Sequence, residues 1–172
     1  MDTFPKLYTP RLILRKMDID DVPSLVKYAN NPKISDNIVN IPYPYREPDA
    51  AFRMSFIVQG FKNKNRYVFS IESKERKELI GEISLHFLDR HNNHLQLAYW
   101  IGEPFWGQGL VTEAAQAVIK FGFEQLGADL IYADCSRENI GSQKVLLKNG
   151  MQQQPVKGDL IMFRITKEEF HG

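Results

Sequence analysis

The spacing of apolar and polar residues along the chain predicts a mixture of amphipathic helices and short strands. Helical spacing recurs in four segments, and apolar runs bounded by charged or turn residues mark the strands between them. The predicted order is β, α, α, β, β, β, α, β, α, β, β, which is typical of a mixed α/β sheet with antiparallel and crossover connections. Because no repeat, low-complexity tract or linker interrupts this order, we expect a single domain over residues 1–172.

The first half of the chain combines one predicted strand with two helices. The strand covers residues 11–16, and the helix after it begins at Asp18, whose side chain is suited to an N-cap. Residues 30–32, Asn-Asn-Pro, end that helix. A second helix is predicted to begin near Pro48, and the proline-containing segment 34–46 between the helices is predicted to be irregular.

The second half begins with three strand-like runs joined by short polar loops, which predicts an antiparallel meander. A helix, a short buried strand, another helix and a closing hairpin follow it. The predicted bounds are 67–72, 79–88 and 95–101 for the meander, 111–126 for the first helix, 130–134 for the strand, 140–148 for the second helix, and 151–155 with 160–166 for the hairpin, which turns at 157–159.

Composition excludes several classes of protein. The 22 basic and 21 acidic residues give a net charge of +1, too small for a protein whose affinity comes from neutralising many phosphates, so we expect no nucleic-acid partner. The single cysteine, Cys135, cannot form an internal disulfide, and His91 and His94 lack neighbours for a metal site. Without an apolar signal core or a membrane-spanning run, we expect a cytoplasmic monomer or homodimer with no membrane partner.

The segment 98–115, AYWIGEPFWGQGLVTEAA, carries the clearest chemical signal. A predicted strand ends there, a loop with Gly107 and Gly109 follows, and a helix begins directly after it. Glycines allow close backbone approach, and a helix N-terminus offers free N–H groups, so the segment predicts a pyrophosphate site rather than an ordinary turn. It is not a Walker loop, because Leu110 follows Gly109, and not a Rossmann fingerprint, because Thr112 replaces the third glycine.

Four segments in this order resemble the GNAT N-acetyltransferase superfamily, and within it the RimJ/RimL-like branch of ribosomal-protein alanine N-acetyltransferases. They are TPRLILRKMDIDDVPSLVKYANNP, LIGEISL, AYWIGEPFWGQGLVTEA and SRENIGSQKVLLKNGM. The resemblance implies the GNAT fold, a mixed and mostly antiparallel sheet with helices on both faces that opens at the fourth strand. It also implies direct transfer of acetyl from acetyl-CoA to a primary amine, without a metal or an acyl-enzyme.

The same resemblance implies a set of cofactor-binding residues. The pyrophosphate would be held by the backbone N–H groups of Trp106, Gly107, Gln108, Gly109, Leu110, Val111 and Thr112. Trp100 and Ile101 at the strand end would pair with the pantetheine arm, and Asn139 and Ser142 would lie beside the thioester. Ser142 would either donate a proton to the leaving thiolate or only bond to backbone in the first helical turn.

The family's general base is missing from its usual place, where Gln96 stands instead of glutamate. The loop also begins with Pro104 instead of the usual Arg or Gln, which leaves a backbone site intact. Strand alternation places Glu82 and His86 on one face of a strand, where they are candidate bases or simply meet solvent. Cys135 is either an acyl-accepting nucleophile or, as we expect, a small buried apolar residue.

Only acid–base chemistry limits the choice among possible acceptor amines. An α-amino group has a reference pKa of about 7.7–8.0 and a lysine about 10.4, so a site without a strong base favours a protein N-terminus. A small-molecule amine such as a polyamine, aminoglycoside or amino acid is an alternative, as is a non-catalytic acyl-CoA-binding module. The aromatic residues Tyr43, Tyr45, Phe52 and Phe56 could wall an acceptor site, although we expect the two phenylalanines in the core.

Overall fold

A computed structural model describes residues 2–155 and 158–172 of the chain. The strands are β1 Leu7–Tyr8, β2 Leu12–Arg15, β3 Arg66–Ser73, β4 Glu78–Asp89, β5 His94–Ile101, β6 Leu130–Ser136, β7 Gln152–Gln153 and β8 Leu160–Thr166. The α-helices are α1 Val22–Ala29, α2 Pro32–Ser35, α3 Glu47–Lys62, α4 Leu110–Glu124 and α5 Ile140–Lys148. Short 3₁₀ turns at Ile19–Asp21 and Glu103–Phe105 precede α1 and α4.

The strands form one eight-stranded sheet in the order β1-β2-β3-β4-β5-β6-β8-β7. Every neighbouring pair is antiparallel except β5 and β6, which run parallel. This exceptional pair is joined only where residues 94–96 face residues 130–132. Because β5 continues to Ile101 and β6 to Ser136, the two strands leave a gap between their C-terminal halves, as the family resemblance implies.

Helices cover the sheet on both faces. The α4 helix packs so tightly on one face that a Cβ on Gly122 would lie 2.8 Å from Ile131 and 3.0 Å from Leu85. On the opposite face of the sheet, α1 packs against β4 and α3 against β3, and Arg53 of α3 reaches β4 to form an ion pair with Glu82. Glu82 is only 2% exposed, so the interpretation that this polar face of β4 meets solvent is wrong.

The predicted elements occur in the predicted order, but the structure adds the two-residue strand β1 before them and the short helix α2 between the first two predicted helices. The segment expected to be irregular begins inside the short helix α2, whose N-cap Asn31 accepts a hydrogen bond from the Lys33 amide. Phe52 is 74% exposed rather than in the core, because it lies on the outer side of α3. Residue 157 of the predicted final turn lies outside the described residues. Among the residues described, no helix is long and apolar enough to cross a membrane.

Candidate active site

The loop between β5 and α4 adopts a backbone that only glycine accommodates without strain. Gly107 and Gly109 have φ angles of +73° and +74°, and Gly109 directly precedes α4. A Cβ on Gly107 would meet nothing within 4 Å, and one on Gly109 would meet only Arg11 Nη2 at 3.5 Å. Packing inside the protein therefore does not explain these glycines. Their conformation turns backbone groups toward open space.

Free backbone N–H groups follow one another through this loop. The Trp106 amide donates to the Glu103 carbonyl at 3.1 Å, and the Glu113 amide donates to Gly109 at 3.1 Å. Between them, no acceptor among the described residues takes a hydrogen bond from the amides of residues 107–112. The prediction that the Trp106 amide binds the pyrophosphate is therefore wrong, because this N–H already donates within the 3₁₀ turn. The remaining donors fit a pyrophosphate at a helix N-terminus.

The edge of β5 that faces the gap is set by the strand's pairing with β4. The Gly102 amide donates to the Ile80 carbonyl at 2.8 Å, and hydrogen-bonded residues alternate along an antiparallel pair. The backbone groups of Trp100 therefore also point at β4, and those of Tyr99 and Ile101 point into the gap. The expectation that Trp100 pairs with a pantetheine arm is wrong for this reason. The Ile101 carbonyl is also occupied, because Trp106 Nε1 donates to it at 2.8 Å.

Tyr99 and Ser142 meet at the inner end of the gap. The Tyr99 hydroxyl lies 2.7 Å from Ser142 Oγ, and the Asn139 side chain caps α5 by accepting from the Ser142 amide at 3.1 Å. Burial raises the pKa of Tyr99, so its hydroxyl stays protonated. The Ser142 hydroxyl is thus paired with a second hydroxyl, which fits a proton-donating pair. Tyr99 is not among the site residues predicted from the sequence. The available signal was its position directly before Trp100, at the strand end that was assigned to the cofactor.

Cys135 lies near this pair and has the character of a small apolar residue. It is 7% exposed, and burial raises the pKa of its thiol. A nucleophilic cysteine needs a lowered pKa, because the thiolate is the reactive species. The interpretation of Cys135 as an acyl acceptor therefore has no support in its surroundings.

The two candidate bases are held in other interactions beneath α3. Arg53 Nη2 and Nε donate to Glu82 Oε2 at 2.8 and 3.0 Å, which neutralises the carboxylate. His86 Nε2 lies 2.7 Å from Ser84 Oγ, and burial together with Arg66 and Arg53 lowers the pKa of His86 to about 4. An imidazole with that pKa is neutral at pH 7 but a weak base.

A cavity of about 880 Å³ joins the loop to the gap between the strands. This volume is within the range of small-molecule binding sites. Its walls include the predicted cofactor residues Trp100, Ile101, Trp106, Gly107, Gln108, Gly109, Leu110, Val111, Thr112, Asn139 and Ser142, together with Tyr99. Glu82 and His86 are not part of the lining. Within residues 2–155 and 158–172, no group of three or more His, Cys, Asp or Glu side chains is placed to bind a metal.

The sequence and the fold are similar to those of known acetyltransferases. The acetyltransferase (GNAT) domain family matches residues 11–152. The p20 protein of Bacillus licheniformis, named an uncharacterized N-acetyltransferase, is 33% identical over 179 residues, covering 96% of this chain and 98% of p20. The ribosomal-protein-serine acetyltransferase of Escherichia coli is 33% identical over 73 residues, covering 42% of this chain and 41% of that protein. RimJ of Mycobacterium smegmatis, in complex with CoA-disulfide, has a TM-score of 0.83 at 19% identity, covering 98% of this chain and 88% of RimJ.

The sheet that opens beside a glycine-containing helix N-terminus is the fold of the acyl-CoA N-acyltransferases. The chain belongs to the GNAT acetyltransferase family, so the resemblance and the predicted fold class are confirmed and the protein is an N-acetyltransferase.

Proposed function

We propose that this enzyme transfers acetyl from acetyl-CoA directly to a primary amine, and that the amine is the α-amino group of a protein N-terminus. The observation that carries the proposal is the run of free amides at residues 107–112, which begins α4 and leads into the gap that ends at Tyr99 and Ser142. The amides would hold the pyrophosphate, and the gap would take the pantetheine arm. Asn139 caps the helix that carries Ser142, and we expect both residues to lie beside the thioester.

In the reaction, the lone pair of the neutral amine attacks the thioester carbonyl carbon. The C–N bond forms, the C–S bond breaks, the nitrogen loses one proton to water, and the sulfur leaves as CoA thiolate. The Ser142 hydroxyl, which is hydrogen-bonded to Tyr99, would donate a proton to that sulfur and recover one from solvent. The backbone N–H of Tyr99 faces the gap and is the donor available to the carbonyl oxygen as its negative charge develops. Orientation of amine and thioester supplies the rest.

The choice of acceptor rests on the proton that the amine must lose before attack. Neither Glu82 nor His86 lines the cavity, and Glu138, the carboxylate in its lining, is exposed to solvent, so we expect the amine to arrive already neutral. The pKa difference between an α-amino group and a lysine is about 2.5 units, or roughly 3.4 kcal/mol in the cost of the neutral nucleophile. The Escherichia coli relative, which is named for a ribosomal protein, supports a protein acceptor.

A mass-shift screen with acetyl-CoA tests this proposal. The acceptors are ribosomal proteins, a polyamine, an aminoglycoside, and a matched pair of peptides that carry an internal lysine and differ only in a free or blocked N-terminus. We expect a gain of one acetyl group on the free N-terminus and none on the blocked peptide. Acetylation of the blocked peptide, or of small amines alone, would overturn the N-terminal acceptor, and CoA binding without product on any amine would favour the non-catalytic module.

A further inference from the structure

The turn between β1 and β2 lies against the start of α4, although 102 residues separate Arg11 from Glu113. Glu113 accepts from the Arg11 backbone N–H at 2.8 Å, from Arg11 Nε at 2.7 Å and from Thr9 Oγ1 at 2.6 Å. Both carboxylate oxygens are therefore used to fix the arginine and the turn that carries it. The side chain of Glu113 is 14% exposed, which favours a well-defined geometry.

The Arg11 guanidinium also reaches the loop that carries the free amides. Its Nη1 donates to the Gln108 carbonyl at 2.8 Å. That carbonyl and the Gly109 N–H belong to one trans peptide unit, in which the two groups point in opposite directions. When Arg11 holds the carbonyl, the Gly109 N–H must point away from the arginine. Gly109 lines the cavity and Arg11 does not, so we expect that N–H to face the cavity.

Arg11 orients the backbone of the loop but adds little net positive charge to the site. Burial alone would raise the pKa of Glu113, but the hydrogen bonds from Thr9 and Arg11 outweigh it and lower that pKa. The carboxylate is therefore ionised and cancels the charge of Arg11. A negative charge in the first turn of α4 would otherwise oppose an anion at the same helix end.

We propose that Arg11 is a positioning residue for the cofactor site, holding the Gln108–Gly109 peptide so that its N–H faces the pyrophosphate. Glu113, which also accepts a hydrogen bond from Thr9, holds Arg11 in turn. This inference rests on the proposed acetyl-CoA site and names the residue that sets its geometry. It also gives a role to the opening TPRL segment, which the transfer reaction itself does not use.

The decisive variant is Arg11→Lys, because lysine keeps the charge opposite Glu113 but lacks the fork that reaches two acceptors in different directions. Arg76→Lys is the matched control. Its guanidinium is also 50% exposed and also pairs through Nε with a carboxylate, Glu78, at 2.7 Å. The two arginines thus match in exposure and in the length of the ion pair, but the carboxylate of the control pair is 23% exposed instead of 14% and lies on β4 instead of α4.

Two measurements separate this inference from the proposed function. In the ligand-free protein, ¹⁵N relaxation should show that the Gly109 amide becomes more mobile in Arg11→Lys and stays unchanged in Arg76→Lys. In calorimetric titration with CoA, Arg11→Lys should raise Kd about tenfold, and Arg76→Lys less than twofold. With acetyl-CoA as substrate, KM should rise while kcat at saturation stays within about twofold, since the arginine acts on binding geometry.

Wild-type mobility and wild-type CoA affinity in Arg11→Lys would overturn the positioning role. If Arg11→Gln weakens CoA binding but Arg11→Lys does not, the role is charge neutralisation of Glu113 and the inference is also wrong. Failure of the wild type to bind CoA would count against the proposed function, while the relaxation data would still test whether Arg11 orders the loop.

Discussion

Replacing Gly109 by alanine separates the cofactor loop from an ordinary turn. The backbone of Gly109 has φ +74°, a left-handed conformation that costs an L-residue about 1–2 kcal/mol. For a protein of this size, each kcal/mol lowers Tm by about 2–4 °C, so we expect the ligand-free variant to melt about 2–8 °C lower. The new methyl group meets only Arg11 Nη2 at 3.5 Å, an ordinary contact, so no clash adds to this cost.

Affinity for CoA should fall by more than this backbone strain explains. Alanine at this position either projects into the space a ligand must approach or rotates the peptide and moves the Gly109 amide. Loss of one hydrogen bond to a charged group costs about 1.5–3 kcal/mol, which corresponds to a Kd increase of about 10- to 150-fold. Calorimetric titration measures the change directly. At 100 Kd of CoA, the wild type should gain about 2.7 kcal/mol of stability, and the variant much less.

Gly127→Ala is a matched control for the strain alone. Gly127 has φ +68°, a Cβ there would meet nothing within 4 Å, and the residue does not line the cavity. We expect a similar loss of Tm with wild-type affinity for CoA. Equal affinity in the Gly109 and Gly127 variants would show that the loop is only a turn, and the acetyl-CoA site would lose its physical basis.

Three further predictions concern the chemistry and the buried histidine. Ser142→Ala should lower kcat more than it weakens acetyl-CoA binding, and Tyr99→Phe should do the same to a smaller extent; unchanged kcat at saturation would leave Ser142 structural. Cys135→Ala should keep most activity, and an acetyl group found on Cys135 by mass spectrometry would refute direct transfer. Because His86 has a folded pKa of about 4, below the ordinary 6.5, the unfolded chain takes up its proton first as pH falls. Stability should drop by up to about 3 kcal/mol between pH 6.5 and 4, and His86→Gln should flatten that slope in urea melts.

Elements with a clear hydrophobic period could be predicted from sequence almost to the residue. The helix predicted at residues 140–148 spans Ile140–Lys148, and the three meander strands differ from their predicted bounds by no more than one residue at any end. The glycines at 107 and 109 were informative because a left-handed backbone leaves few other residue types. In each of these cases the structure depends on residues close together in the chain, and their pattern can be seen in a single sequence.

The parts that could not be predicted depend on contacts between distant segments. The alternation of polar and apolar residues along β4 correctly assigned its side chains to two faces. It could not show that Arg53, on the distant helix α3, forms an ion pair with Glu82. The register between β5 and β4 decides whether the backbone groups of Trp100 or of Tyr99 face the gap. That register cannot be derived from the sequence of either strand alone. The Arg11–Glu113 pair joins residues 102 positions apart, and neither residue is unusual in its own segment.

The burial of both candidate bases bears on the proposed choice of acceptor. Glu82 is ion-paired with Arg53, and His86 is neutral and weakly basic, so neither candidate base is available to take a proton from the amine. The amine must then bind in its neutral form or lose its proton to water on the way in. Near neutral pH that requirement favours an α-amino group over a lysine by about 300-fold, from the difference of about 2.5 units in reference pKa. Under the proposed mechanism, Gln96 in place of the family's glutamate is consistent with this preference, because a glutamine side chain cannot take the proton that a lysine would have to lose.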